Sequence, residues 1–410
     1  MAVTLAEAKL NAQTDYDPMV IDEFRKESAM LDSLVFDQAV NPSGGGATLT
    51  YGYRRQATQA TADTRAINSE YTPGNVTSTP VSVNLAVMGG SFEVDRVLST
   101  VGPAASGAVT YNLNQKIKAT TTRFSDEVIN GNVAANANGF DGLNKALFGS
   151  STEYGASAVT DWSALDTTEK RLAALDSMDS FLSLLDGTPT LLLGNSKALG
   201  KIRSIVRGTG MYVRNPVDGL LGANGRPISR EEYGGIVFAD MGEKAGSTNL
   251  IIPVRKQLSL VPTVTAGSGN ITFKLNGQLV TLAYNANAAA WQAAIDAVLP
   301  GGTVSGSTSA TLVAYPVGTV ATITDGVGVS FADGTAGAAP ATGLTDIYAV
   351  RIGLDGFHGV TTIGGQLVQT WLPDFSTAGA VKKGEVELGP VAVALKATKA
   401  AAVFRAIKVQ

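Results

Sequence analysis

Three stretches of this sequence carry residue types that could do chemistry. His358 is the single histidine, and there is no cysteine. Disulfides, thiolate zinc sites and a cysteine nucleophile are thereby excluded. A serine-histidine-aspartate relay would have to run through His358, which lies in Asp355-Gly356-Phe357-His358-Gly359. Glycines on both sides and the lack of an elbow-type serine motif predict a plain turn or surface histidine. The second stretch, Gly194-Asn195-Ser196-Lys197-Ala198-Leu199-Gly200-Lys201-Ile202, follows a predicted strand as a phosphate-binding loop would. That loop needs four residues between its glycines and a hydroxyl after the lysine to hold magnesium. Here five residues separate the glycines and Ile202 follows the lysine, so an ordinary strand-to-helix turn is expected. The third, Asp176 and Asp179, places two carboxylates three apart on the polar side of a predicted helix, where solvated charges are the expectation. The sequence therefore assigns no catalytic, cofactor-binding or metal residue, and no enzyme activity.

Composition narrows the class further. The 410 residues exceed one ordinary core, so two or three units are expected. Hydrophobic residues at 44% against only 16% charged describe a folded chain with a weakly charged surface, suited to burial against other subunits. The net charge of −4 opposes sequence-reading DNA binding, which needs clustered cations, but not the enclosure of DNA. Met1-Ala2-Val3-Thr4-Leu5-Ala6-Glu7 has neither the basic start nor the apolar run of a signal peptide, and no later run is long enough for a bilayer. Synthesis and folding in a cytoplasm are expected, with no membrane partner.

The elements that must position these residues are readable from their periodicity. Asp17 and Pro18 begin a helix whose Val20, Ile21, Phe24, Leu31, Leu34 and Val35 share a face, stopped by Asn41-Pro42-Ser43-Gly44-Gly45-Gly46. Leu49, Tyr51 and Tyr53 alternate with small or polar residues, as do Val81, Val83, Leu85 and Val87, which predicts two paired strands. Between them residues 54–78 hold only Ile67, Tyr71 and Val76 as sizeable apolar groups. Such a ribbon is marginal alone and must lie on another surface. After a Gly102-Pro103 break comes a helix with Leu113, Ile117, Thr121, Phe124 and Val128 inward and Lys116, Lys118, Arg123, Asp126 and Glu127 outward, ended at Asn130-Gly131. A second helix turns Leu172, Leu175, Met178, Leu182 and Leu185 inward. From Pro262 to Leu344 charge nearly vanishes, and a hairpin about Asn276-Gly277 with a helix around Trp291 reads as an inserted module. Strands are expected at 347–354, 367–372, 391–395 and 403–409.

This ordered set resembles the major capsid proteins of tailed bacteriophages with the Hong Kong 97-like fold. The resemblance rests on the arm, the hairpin Leu49 to Met88, the return Gly89-Gly90-Ser91-Phe92-Glu93-Val94-Asp95-Arg96, the helix near Ala108 to Ile129, Tyr233-Gly234-Gly235-Ile236-Val237-Phe238-Ala239-Asp240 and the closing strands. It implies an α+β class with N-terminal arm 1–46, extended loop 47–90, peripheral domain 91–160 and 345–410 around a spine helix near 108–130, axial domain 161–261 and inserted β-rich domain 262–344. Part of 345–410 is open to axial assignment. The implied function is a non-enzymatic shell subunit forming hexamers and pentamers of an icosahedral virion capsid around double-stranded DNA, without sequence-specific binding and without cofactor. Scaffolding and portal proteins are the implied partners, and assembly in the bacterial cytoplasm the implied location. An encapsulin-type bacterial shell and a phage tail or surface protein are the alternatives. The insert resembles small β-rich modules added to phage structural proteins. Candidate inter-subunit contacts are Arg54, Arg55, Arg65, Tyr51, Tyr53 and Phe24.

Some members of this family crosslink through a lysine of the extended loop, yet no lysine lies between Lys26 and Lys116. Assembled material should therefore dissolve to single chains on boiling in detergent, and a ladder of covalent multimers through residues 47–90 on a denaturing gel would contradict this.

Overall fold

A computed structural model describes residues 29–37, 49–71, 73–97, 102–133, 136–155, 159–208, 213–221, 227–233, 235–255, 259–275, 278–298, 303–305, 312–314, 323–333, 343–362 and 367–410; over 102–108, 213–221 and 227–233 it describes the backbone. In chain order the elements are α1 (Ala29–Ser33), β1 (Phe36–Asp37), β2 (Thr50–Gln56), β3 (Ser78–Asn84), β4 (Ala86–Asp95), α2 (Gly102–Asn130), α3 (Leu143–Ala146), β5 (Glu153–Tyr154), β6 (Thr160–Asp161) and α4 (Thr168–Leu182). Then follow β7 (Leu191–Gly194), α5 (Ser196–Gly208), β8 (Val213–Leu221), β9 (Pro227–Tyr233) and β10 (Ile236–Asp240). Next come β11 (Ser259–Val264), β12 (Asn270–Leu275), β13 (Gln278–Ala283), α6 (Ala288–Asp296), β14 (Thr303–Ser305), β15 (Leu312–Ala314), β16 (Ile323–Val327) and β17 (Val329–Asp333). The chain closes with β18 (Leu344–Val350), β19 (Phe357–Thr361), β20 (Val368–Trp371), β21 (Val381–Leu395) and β22 (Ala401–Lys408).

Helix α2 is a spine of 29 residues, about 43 Å long at about 1.5 Å per residue. It starts at Gly102 rather than after the expected break, because a proline in the first turn gives up an amide that has no helical partner anyway. It packs across β4 and β21 of a sheet ordered β1-β19-β21-β20, with β4 also on β21. Its last turns are buried on every side. Asp126 and Glu127, expected outward, are therefore inside, held by Arg123 at 3.2 and 2.7 Å. Lys244 lies 3.1 Å from Asp126, and Asn130 donates to both Asp126 and the Ile251 carbonyl, which ties the helix end to the chain after β10. Burial pushes the Glu127 carboxyl above its usual range against the pull of Arg123.

The second sheet, β5-β22-β18-β7-β10-β9-β8 with β6 on β22, is a wall between two cores. Strand alternation does this: Leu192, Ile347, Ala349, Ala402 and Phe404 face α4 and α5, while Leu191, Leu193, Tyr348, Val350 and Val403 face the spine. On α4, Ala174, Leu175, Met178 and Phe181 are buried, whereas Leu172, expected inward, is 49% exposed. Phe181 fixes the phase of the helix, and Leu172 falls off that face. Asp176 and Asp179 are exposed.

Residues 259–333 build a third, separate core. Strands β14-β15-β11-β17 and β13-β12-β16 enclose Phe273 stacked on Trp291 at 5.6 Å, with Phe331 edge-on to Phe273 at 5.0 Å. The chain enters and leaves this unit beside itself: the Arg255 amide donates to the Leu344 carbonyl at 2.8 Å, and the Leu344 amide returns a bond at 2.9 Å. The closing segment is divided between two sheets, β18 and β22 in the wall and β19, β20 and β21 with the spine.

Beneath the wall lies a buried ionic knot. Arg405 of β22, 1% exposed, pairs with Glu153 and lies 3.4 Å from Asp346. It also donates to the Asn144 side chain at 2.6 Å and to the Asn144 carbonyl at 3.1 Å. Arg255 binds the same Asp346 carboxylate. Asp346 further accepts from the amide of Ala406, which adopts the left-handed φ of 62° in a bulge of β22, where Arg405 and Ala406 together stand opposite Asp346. Removing one member of a buried charge group strands its partners. Arg405→Ala should lower stability by on the order of 3–5 kcal/mol. Arg351→Ala, whose partners Asp186 and Asp355 are exposed, should cost less than about 1 kcal/mol. Urea midpoints of the two variants check the contrast.

Candidate functional site

Strands β2 and β3 form the ribbon, in register from Thr50 opposite Asn84 to Gln56 opposite Ser78. The pleat sends Tyr51, Tyr53 and Arg55 to one side and Gly52, Arg54 and Gln56 to the other. The first side lies on the body. The Tyr51 hydroxyl donates to Asp37 at 3.2 Å, the Tyr53 hydroxyl to the Leu395 carbonyl at 2.8 Å, and Arg55 to the Leu395 and Lys396 carbonyls at 2.6 and 3.1 Å. Burial raises the Tyr53 phenol above its ordinary value, with Arg55 opposing. Tyr51, Tyr53 and Arg55, expected to contact neighbours, are thus engaged by their own chain. The reason is that alternation places all three on the face that anchors the ribbon root.

Arg54 and Arg65 are exposed. Arg54 stands on the outer face opposite Pro80, and Arg65 lies over the Tyr71 ring at 5.6 Å while donating to the Ser69 carbonyl at 3.1 Å. Beyond a neck pinned by Ala57 on Thr77 and by Thr58 with Thr77, residues 59–71 and 73–76 are exposed, with Ile67 90% and Tyr71 61% open. Phe24 lies outside the described residues. A cavity of about 670 Å³ opens between the ribbon root and the body, lined by Tyr53, Arg55, Phe140, Lys145, Phe357 and Leu395.

His358 was not legible as part of this arrangement. It is fully buried in β19, not in a surface turn, and meets Tyr51 edge-on at 5.9 Å. The missed signal is Phe357 before it and Val360 after it, an apolar run in which Gly359 makes room for a ring rather than a turn. A Cβ on Gly359 would sit 2.4 Å from the Phe36 ring.

At the expected phosphate-loop decoy, Asn195 closes the start of α5. Its side-chain oxygen accepts from the Ala198 amide at 2.9 Å and its nitrogen donates to Ile252 and Thr345. Lys201 donates to the Ser163 carbonyl at 2.8 Å. Among the described residues no group of three or more histidine, aspartate or glutamate side chains could hold a metal, and no helix is long and apolar enough to cross a membrane.

On the sheet under the spine, β21 and its neighbours present an acidic outer face. Glu385 pairs with Trp371 of β20 on one side and Ser91 of β4 on the other, Lys383 with Glu93, and Glu387 with Gln369. Glu93, Glu385 and Trp371 are exposed, and Lys383 lies 2.8 Å from Glu385.

No family model and no curated protein sequence matches the chain. Among solved structures it is similar to the holo-SrpI encapsulin of Synechococcus elongatus PCC 7942 at a TM-score of 0.50 and 12% identity, over 100% of this chain and 98% of that one. The fold is the Hong Kong 97-like one. Two further similar structures are a native GTA particle capsid, at a TM-score of 0.49 and 10% identity over 99% of both chains, and the capsid of Myoviridae Phage XM1, at 0.48 and 8% over 99% of both. On this fold the ribbon is docked at its root and open at its outer face and tip. Arg55→Ala should loosen that root by roughly 1–3 kcal/mol, and Arg54→Ala should leave it unchanged. Hydrogen exchange of the Thr50–Gln56 amides in the two variants distinguishes them.

Proposed function

We propose that this chain is the major capsid protein of a tailed double-stranded DNA bacteriophage, assembling as hexamers and pentamers into an icosahedral shell around the genome. The observation that carries the reading is the ribbon: a long arm whose outer face and tip bury nothing in their own chain, on a fold shared with a shell protein. A polar projection of this kind gains stability only by lying on another surface. The second copy supplies that surface, and closed symmetry limits growth. Arg54 and Arg65 are the cations offered, and the acidic face of Glu93, Glu385 and Glu387 is the receiving surface, with Trp371 beside it to stack a guanidinium.

The inserted unit with its own core supports a virus, because such β-rich modules resemble additions to phage structural proteins. The encapsulin reading is favoured by the similarity to the cyanobacterial shell, and the contents of the particle separate the two. Scaffolding and portal proteins complete the proposed partnership, in a bacterial cytoplasm. Expression with and without a scaffold, followed by negative-stain microscopy, should give closed shells of uniform size containing nucleic acid. Protein cargo without nucleic acid would select the encapsulin reading, and a chain monomeric under all assembly conditions would sink both. The double variant Arg54→Ala with Arg65→Ala should fold but assemble poorly.

A further inference from the structure

We propose that His358 is an acid-sensitive latch, which holds the ribbon root and strand β1 on the body at neutral pH and releases them when protonated. The imidazole is wholly buried, and among the described residues neither ring nitrogen makes a hydrogen bond of good geometry, the Gly356 backbone being the polar group that comes nearest to doing so. It is the meeting point of three pieces distant in sequence. Its own strand β19 pairs with β1 through Phe36 opposite Gly359, Tyr51 of β2 stands edge-on to the ring, and Lys396 at the end of β21 lies 5.6 Å from the Tyr51 ring centre. The neutral ring packs edge-on to Tyr51 as an aromatic body and carries a single N–H. Its cation would carry two N–H donors in a buried site where the Gly356 backbone is offered to one of them, and burial outweighs that contact, a costly state.

The charged groups around it do not offset that cost. Lys396 adds repulsion. Asp37 of β1 is the carboxylate that faces the site, and it is already taken by the Tyr51 hydroxyl at 3.2 Å and by Lys396 at 3.9 Å. Asp355, on the approach to β19, is exposed and paired with Arg351. Burial first, and Lys396 second, hold the imidazole below its ordinary value of 6.5. The sign follows from linkage. A group depressed in the closed state and ordinary in the open one favours closure fully above about pH 6.5. As pH falls below that value the advantage shrinks by up to about tenfold per unit, until the closed-state value is passed.

The seam that yields is set by the anchoring. Strand β1 contributes two residues beside β19, and β2 is held to the body by the side chains of Tyr51, Tyr53 and Arg55. On the other side of β19, β21 is paired over five residues inside the core. Protonation therefore opens the β1 and β2 side. This is a property of the single chain, and its use in controlling when the ribbon is free to reach a neighbour rests on the shell reading.

The single histidine makes the test direct. Deuterium exchange at the imidazole C2 position, read by mass spectrometry, reports its titration, and amide exchange corrected for intrinsic pH dependence reports strand protection. Between pH 7.5 and 4.5 the imidazole of the full chain should titrate below 6.5. Over the same range Phe36–Asp37 and Thr50–Gln56 should lose protection while Ala401–Lys408 stays protected. His358→Phe keeps an aromatic ring against Tyr51 and should make protection of Thr50–Gln56 independent of pH. The proposal is overturned if that variant loses protection as the parent does, if the ring titrates at its ordinary value with protection unchanged, or if Ala401–Lys408 opens in parallel. Should His358→Phe not fold, coincidence of the two titrations in the parent decides alone. Failure to form shells would count against the capsid reading and leave this result intact.

Discussion

Arg405 is the interaction on which the two main bodies depend. It sits on the last strand with almost no exposure, and its guanidinium reaches α3 through Asn144, β5 through Glu153 and β18 through Asp346. A buried guanidinium is tolerated only where its donors are met in the fork geometry that carboxylates and carbonyls supply. The requirement works in both directions. The segment after the spine, the opening strand of the closing segment and the last strand must all be in place before the charge is compensated, so the site enforces one register of β18 against β22. The bulge in β22, with Ala406 left-handed within it, is the local cost of bringing Asp346 under both arginines.

The same arrangement shows what a sequence reading could and could not reach. The ribbon, the spine and the strand entering α5 announce themselves, because each has a period set by one face against one core. Thr50–Gln56 alternates, α2 repeats near every fourth residue, and Leu191–Leu193 is a short apolar run before a capping asparagine. The partition of the closing segment was left open for a physical reason. A strand buried on both faces loses its alternation, so the end of β21 and all of β22 read alike although they serve different sheets. Arg405 carries no local signal, since its partners stand about 250 and 60 residues away.

Glycine was the most misleading residue type. In Gly356-Phe357-His358-Gly359 it reads as a turn, yet Gly359 lies under the Phe36 ring, and Gly384 lies under Phe92, where a Cβ would collide with the ring at 2.5 Å. These glycines admit an aromatic ring from a neighbouring strand. That close approach, not chain reversal, fixes the positions of β1 and β4 on their sheet. In the candidate surfaces, the ribbon was identifiable from its polar composition. Which of its arginines faced outward depended on the pleat, and the anchoring atoms on the body are backbone carbonyls that no sequence pattern displays.

The two hydrogen bonds between Arg255 and Leu344 have a mechanical meaning. Both stems leave the body side by side, so a pull on the unit built from residues 259–333 loads these bonds one after the other, as a zipper is loaded. The β18 and β22 pairing above them runs over seven and eight residues and shares a load along its length. The stem is the weaker member under tension. It acts as a fuse, letting an outlying unit be tugged, tilted or torn without passing the strain into the sheet that Arg405 locks.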